Sequence, residues 1–338
     1  MQNYDQPAKN WVRSWYFSAI DRLFPRAPKS RLHAVYFPGV QNLEGPHYAA
    51  RGITAHPVER DPKLIRAMRN PRLSLSPLTR KDVFVGTLGE WAQAHACEDT
   101  GRIAVANADF EGKLESCADE IIKLFRVFPS RESGLLCVTT FANLDADTVA
   151  SGVVFGNALD SLLEGCVRSQ LSALNNQLQD SLENSNYRNH LAHAQFCRDF
   201  GLLWRVLMGL ALFTSPEEEP GVFLEDVHGS LVRVLGGMHQ TAERLQGLTV
   251  HKSFSFFQEP RLTPLLRECA TPIFPLSLSR ALYQTTSHNR MTTWLISFGR
   301  LRGTVPLTRV ADQLWQLYAK SPLTVVSKTG RVRAYQPR

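Results

Sequence analysis

The chain has 338 residues, of which 43% are hydrophobic and 20% charged, and its formal net charge is +7. This composition is typical of a globular protein and excludes a disordered chain, and no apolar run reaches the roughly 20 residues of a membrane-spanning helix. The N-terminal stretch lacks an apolar signal region, and the six cysteines lack C-x-x-C spacing, which argues against zinc and a disulfide framework. We therefore expect a protein without membrane segments in the reducing cytoplasm.

Short apolar runs alternate with helical segments from residue 31 onward, after an aromatic-rich leading helix over 11–24. This alternation predicts an α/β fold with a doubly wound, mostly parallel sheet. The predicted strands cover 32–37, 53–59, 82–86, 102–110 and 134–143. The predicted helices between them cover 44–52, 62–70, 87–96 and 117–128.

Changes of pattern divide the chain into four predicted regions. These are a leading helix in 1–30, the α/β core in 31–160, a helical insertion in 161–250 and a sheet-completing, basic region in 251–338. Within the insertion, the apolar stretch 200–213 is predicted to be a buried helix. The insertion could bind substrate, a second copy of the chain or another protein.

The C-terminal region is predicted to contain two hairpins around one helix. The first hairpin covers 280–300, the amphipathic helix covers 307–320, and the second hairpin covers 323–336 with its turn at Thr329-Gly330. Both hairpins carry basic residues. The sequence therefore predicts a basic β-hairpin region at this end of the chain.

Basic residues are concentrated in the last quarter of the chain. Residues 251–338 hold 13 Lys or Arg and three acidic residues, a net charge of +10, whereas residues 1–250 carry a net charge of −3. This asymmetry is typical of a surface that binds a polyanion such as RNA or DNA, and an ordinary soluble basic surface is the alternative. The candidate nucleic-acid contacts are Arg300, Arg302, Lys328, Arg331 and Arg333.

Three stretches near the predicted strand ends have the residue types of a nucleotide-like site. The loop FPGVQNLEGP after the first strand contains Gly39 and Gly45, where bare backbone could approach a ligand. The second strand ends at the acidic Glu59, with Asp61 as the alternative if the register differs by two residues. The stretch VFVGTLGEW (83–91) forms a short polar turn after the third strand.

In this order, these stretches resemble the class I S-adenosylmethionine-dependent methyltransferases, a Rossmann-like family. The resemblance covers the first 145 residues and rests on order and position, because the glycine motif is degraded. It implies that Gly39 and Gly45 admit S-adenosylmethionine and that Glu59 binds its ribose hydroxyls. It also implies that Thr87 and Leu88 contact the adenine, and that the late hairpin is the antiparallel pair that closes such sheets.

The chain departs from the family at several positions. The two glycines of the first loop are six residues apart, and the first strand ends in Tyr36-Phe37-Pro38 without an acid. Thr87 stands where the family commonly has Asp. The fourth strand lacks the N-P-P-Y type motif of amino-directed nucleic-acid methyltransferases, and there is no Pro-Cys nucleophile for cytosine C5 methylation. The degraded glycine loop favours a catalytically inactive relative, whereas Glu59 and the 83–91 turn favour an enzyme.

Asp109 and Glu111 flank Phe110 at the end of the fourth predicted strand. Side chains alternate along a strand, so both carboxylates could face one cleft, where either could act as a general base toward a hydroxyl or an amine. The alternative is an Asp that caps the next segment beside a Glu in solvent. No metal site is predicted, because His190 and His193 lack a third ligand.

The sequence thus supports two main hypotheses. The first is a methyltransferase that uses S-adenosylmethionine and acts on a polyanionic substrate, RNA or DNA. The second is a catalytically inactive, methyltransferase-like module that binds nucleic acid or assembles with partner proteins. A nicotinamide-dependent enzyme is a weaker alternative, because G-x-G-x-x-G is missing.

Overall fold

The computed structural model describes residues 6–25, 31–96, 103–129, 132–142, 159, 162–163, 187–214, 266–285 and 290–335. The strands in this part of the chain are β1 (His33–Tyr36), β2 (Thr54–Glu59), β3 (Phe84–Val85), β4 (Val105–Asp109), β5 (Ser133–Phe141), β6 (Ala270–Gln284), β7 (Arg290–Pro306), β8 (Leu323–Val326) and β9 (Val332–Tyr335). The α-helices are α1 (Pro7–Leu23), α2 (Gly45–Ala50), α3 (Pro62–Met68), α4 (Leu88–His95), α5 (Ala118–Leu124), α6 (Tyr187–Thr214) and α7 (Leu307–Lys320).

These strands form one nine-stranded sheet in the order β3-β2-β1-β4-β5-β7-β6-β8-β9. The first five strands in this order are parallel to one another. Strand β7 runs antiparallel to both β5 and β6, β8 is parallel to β6, and β9 is antiparallel to β8. The predicted α/β architecture with a largely parallel sheet is confirmed.

Helices cover both faces of the sheet. Consecutive residues of a strand point to opposite faces, so neighbouring buried side chains pack against different helices. In β4, Val105 belongs to the cluster that includes Tyr16 of α1 and Tyr48 of α2. The next residue, Ala106, belongs to the cluster on the other face, which includes side chains of α4, α5, α6 and α7. None of the helices in the described ranges combines the length and apolarity needed to cross a membrane.

The hairpin predicted over 280–300 is longer than the sequence indicated. Strand β6 starts at Ala270 and β7 ends at Pro306, and the pairing between them shifts register near Thr271 and again near Pro275. Proline normally marks the limit of a strand, so Pro275 argued against a strand there and the first part of β6 was not predicted. The bulges explain how the strand continues through it.

Helix α6 also exceeds its predicted range of 200–213, since it begins at Tyr187. It packs into the sheet's helical layer, where Phe200 stacks on Trp315 of α7. Its buried Asp199 accepts hydrogen bonds from Arg280 of β6 and from Trp294 Nε1 of β7, the latter at 2.6 Å. The described part of the predicted insertion is thus integral to the α/β body, and most of 161–250 lies outside the described residues.

Candidate functional site

A cleft of about 400 Å³ opens at the carboxyl ends of the parallel strands. Its lining includes Phe37 directly after β1, Glu59 at the end of β2, Asp109 at the end of β4 and Thr139 near the end of β5. Ligands of open α/β sheets bind at this edge. The volume is within the range of pockets that hold small molecules and cofactors.

The structure brings most of the predicted site residues together in this cleft. Gly39, Glu59, Thr87, Asp109 and Glu111 all contribute to its lining. Two predicted cofactor contacts are not among the lining residues. Gly45 is the first residue of α2, and Leu88 is only 1% exposed in the core.

Gly39 is the position in the loop after β1 where a glycine is needed. Its φ is +56°, and a Cβ placed there would have no atom within 4 Å, so the backbone is bare toward open space. The loop is held by the buried Asn42, which accepts a hydrogen bond from Tyr36 Oη at 2.8 Å and donates one to the Ser76 carbonyl at 2.7 Å. A Cβ at Gly45 would lie 2.6 Å from Asn42 Nδ2, so this glycine makes room for Asn42.

Glu59 is the last residue of β2, as the first of the two predicted registers requires. Its Oε1 accepts a hydrogen bond from the Asp61 backbone N–H at 2.8 Å. Burial raises the pKa of Glu59, and the backbone N–H groups of Asp61 and Arg60 partly offset this effect. Asp61 instead caps α3 by accepting a hydrogen bond from the Lys63 N–H at 2.8 Å.

The turn between β3 and α4 is a capping box. Thr87 Oγ1 accepts a hydrogen bond from the Glu90 N–H, and Glu90 Oε2 accepts one from the Thr87 N–H. The N–H of Leu88 donates to Oε2 of Glu120 at 2.9 Å. Glu120 belongs to α5 and lines the cleft, and burial raises its pKa. A backbone donor at this border of the cleft is thus occupied by a carboxylate of the protein.

One part of the cleft lies between α1 and the ends of β4, β5 and β6, and we call it the α1 arm. Its lining residues include Arg13, Tyr16, Asp109, Thr139 and Tyr283. Arg13 joins α1 to the loop before α2, because its Nε donates to Glu44 Oε1 at 2.8 Å. Nothing in the sequence indicated that a helix so far from the other site residues would border the cleft.

Asp109 is the most unusual group of the α1 arm. Its Oδ1 is buried and has no hydrogen-bond partner among the described residues. Burial raises the pKa of the Asp109 carboxyl, and the charges of Lys9 and Arg13 act in the opposite direction while Glu44 adds to the increase. Glu111, two residues further along the chain, lines the same cleft and is exposed.

The charged residues that line the cleft are mostly acidic. Three are basic, namely Lys9, Arg13 and Arg60. Six are acidic, namely Glu44, Glu59, Asp61, Asp109, Glu111 and Glu120. The cleft thus has a formal excess of three negative charges, although the whole chain is basic. Such a cleft favours a cationic ligand over an anionic one and disfavours phosphate groups.

The five basic residues predicted to contact nucleic acid do not form one surface. The Arg300 N–H donates to the Glu132 carbonyl just before β5, so Arg300 lies at the end of the sheet opposite the cleft. Arg302 follows two residues later in the same strand. The β8–β9 turn, by contrast, follows Val326, which pairs with the cleft residue Tyr283.

The β8–β9 turn reaches the start of α1. A Cβ at Gly330 would lie 3.3 Å from Pro7 Cβ, and Lys9, in the first turn of that helix, lines the cleft. Lys328, Arg331 and Arg333 are all exposed on this hairpin. These three residues therefore lie on the cleft's side of the molecule, without being part of its lining.

Comparison with models of known protein families gives no match for this chain, and a search among curated proteins finds none that is similar to it. Within the described residues, no group of three or more His, Cys, Asp and Glu side chains is arranged to hold a metal ion. The side chains of His190 and His193 lie outside the described part of the chain. The geometry of the cleft therefore carries the functional argument.

Proposed function

We propose that the protein is an S-adenosylmethionine-dependent methyltransferase. The main support is the pairing of Glu59 at the end of β2 with the bare, positive-φ Gly39 after β1, on the walls of one open cleft. The antiparallel β6–β7 pair, which closes the parallel sheet beside β5, fits the expectation drawn from the family resemblance.

The residues of the cleft suit this cofactor chemically. The carboxylate of Glu59 can accept hydrogen bonds from ribose hydroxyls, and Gly39 leaves space for the ligand to approach the backbone. Bound S-adenosylmethionine supplies an activated methyl group on a sulfonium cation, and the acidic cleft has the complementary charge. The same charge disfavours the diphosphate of a nicotinamide dinucleotide.

Catalysis in this proposal is mostly a matter of position. The strand end that carries Asp109 and Glu111 would hold the acceptor group, with Asp109 as the buried hydrogen-bond acceptor and Glu111 at the exposed edge. Alignment of two reacting groups in a closed space supplies much of the rate enhancement in such reactions. In this proposal Asp109 also takes a proton from the acceptor.

Calorimetric titration with S-adenosylmethionine tests the proposal. Wild type should bind saturably, and Glu59→Gln should weaken binding by about tenfold or more, because hydrogen bonds to a charged group contribute about 1.5–3 kcal/mol. Glu132→Gln is the matched control, since Glu132 is an exposed carboxylate at the other end of the sheet. No heat with wild type, or equal affinity for Glu59→Gln and wild type, would refute the proposed site.

We further propose that a polyanionic substrate, RNA or DNA, contacts the exposed hairpin through Lys328 and Arg331. The acidic cleft would then receive an uncharged part of the substrate while the phosphates stay outside. Replacing Lys328 and Arg331 by Ala should weaken binding of single-stranded RNA or DNA and flatten its salt dependence. The double replacement of Arg300 and Arg302, with the same loss of charge, should have little effect, and equal losses in both variants would refute this assignment.

A second candidate function is an inactive module that retains the scaffold and binds nucleic acid or protein. The observation that favours it is the occupied Leu88 N–H, which donates to Glu120 and is unavailable to a ligand in this conformation. The two candidates differ in one measurement. Salt-dependent nucleic-acid binding without any S-adenosylmethionine binding would select the inactive module.

A further inference from the structure

A buried carboxylate oxygen in the α1 arm lacks a partner. Asp109 Oδ1 is shielded from solvent and makes no hydrogen bond within the described residues, although the residue lines an open cleft. Burying a polar atom without a partner costs free energy, and nearly all such atoms in native proteins are paired. An unpaired acceptor at the wall of a cleft is explained if a ligand supplies the donor.

Two other polar side chains of the α1 arm, Arg13 and Thr139, already have hydrogen-bond partners. Arg13 donates to Glu44 and, through Nη1, to Asn10 Oδ1 at 2.6 Å. The hydroxyl of Thr139 is hydrogen-bonded to that of Thr293 at 2.7 Å. The ionised carboxylate of Asp109 accepts hydrogen bonds and donates none, so its Oδ1 requires a donor. Six carboxylates line the cleft as a whole, which is therefore rich in acceptors.

We infer that the α1 arm binds an amino group whose N–H donates to Asp109 Oδ1, so that the methyl acceptor is a nitrogen atom. An amine brings two or three donors, whereas a hydroxyl brings one donor and adds lone pairs to a site already rich in acceptors. A protonated amine also offsets the negative excess of the cleft. It first passes one proton to the Asp109 carboxylate, so that the nitrogen lone pair can attack the sulfonium methyl carbon. The N–C bond forms as the C–S bond breaks, and S-adenosylhomocysteine leaves. This inference rests on the proposed function.

The test compares two adenosyl ligands that differ at the reacting position. Sinefungin carries an amine-bearing carbon where S-adenosylhomocysteine has only sulfur. Wild type should bind sinefungin about tenfold or more tightly than S-adenosylhomocysteine, because charge-assisted hydrogen bonds are the stronger ones. Asp109→Asn should remove this preference, while the matched acid-to-amide change Glu132→Gln, at the opposite end of the sheet, should preserve it.

The outcomes separate this inference from the proposed function. Equal binding of the two ligands to wild type overturns the inference and leaves the cofactor site intact, and so does a preference that persists in Asp109→Asn. Failure of both ligands to bind overturns the proposed function and the inference together. Thermal unfolding of Asp109→Asn checks its folding, and its midpoint should change little, because Asp109 Oδ1 makes no hydrogen bond that the change would break.

A second measurement identifies the source of the amine. With S-adenosylhomocysteine at saturation, wild type is titrated with cytidine against uridine and with propylamine against propanol. Tighter binding of cytidine than of uridine identifies a nucleobase amino group, and tighter binding of propylamine than of propanol identifies an aliphatic one. Either preference should disappear in Asp109→Asn, and the absence of both preferences in wild type overturns the inference.

Discussion

Acidification from pH 7 to 4.5 should destabilise the fold through a histidine pair at the opposite end of the sheet from the cleft. His33 Nδ1 lies 3.0 Å from His56 Nε2, and the two rings are stacked. Burial lowers the pKa of His56 from 6.5 to about 4, and the neighbouring His33 and His95 add to the effect. Between about pH 4 and pH 6.5, His56 is thus neutral in the folded state but protonated in the unfolded chain. Stability from this source is present above about pH 6.5 and is lost as the pH falls toward 4.

The magnitude follows from that difference in pKa. At about 1.4 kcal/mol per pKa unit, the full shift would correspond to about 3 kcal/mol, and partial solvent exposure of His56 reduces this to about 1–2 kcal/mol. Urea unfolding at pH 7 and pH 4.5 measures the loss in wild type and in His56→Gln, which cannot titrate. The variant should lose about 1–2 kcal/mol less than wild type. Equal losses in the two proteins would show that the histidine pair does not carry this pH dependence.

Two further predictions concern carboxylates. Glu120→Ala should tighten the binding of S-adenosylmethionine by about three- to tenfold, because it frees the Leu88 N–H; weaker binding in calorimetry would mean that Glu120 itself contacts the ligand. Asp199→Asn should lower the free energy of unfolding in urea by about 3–5 kcal/mol, because it leaves Arg280 buried without its counter-charge. Asp312→Asn, at an exposed position on α7, is the matched control and should change the free energy of unfolding little. Similar decreases in the two variants would show that the buried Asp199–Arg280 pair does not stabilise the fold more than an exposed carboxylate does.

Local sequence signals predicted several individual elements closely. Helix α7 has its predicted bounds, because apolar residues recur at helical spacing over all 14 residues. The sequence predicted the end of β2 at Glu59, because the apolar run 53–59 stops there, shortly before Pro62, which starts α3. The β8–β9 turn was readable from Gly330, whose φ is +81°.

The assembly of the cleft was less predictable, because its residues are far apart in the chain. Arg13 and Glu44 meet only when α1 packs beside the loop before α2, and Glu120 reaches the Leu88 N–H only through the packing of α5 on α4. The role of Asn42 was also missed, since a buried loop amide has no periodic signal. Gly45 was assigned to ligand space when it serves the packing of Asn42.

The charge of the C-terminal quarter and the charge of the cleft favour different ligands. The basic excess of the last quarter of the chain suggested a polyanion, yet the cleft that can hold a ligand is acidic. The proposed function reconciles them by keeping anionic groups on the exposed hairpin while an uncharged or cationic group enters the cleft. Added salt should therefore weaken nucleic-acid binding by wild type but leave sinefungin binding much less affected, because buried charge interactions are screened less. Titrations with nucleic acid and with sinefungin at roughly 50 to 300 mM salt, which brackets physiological ionic strength, measure both salt dependences. Equal salt dependence of the two ligands would place them on one surface and contradict the separation of hairpin and cleft.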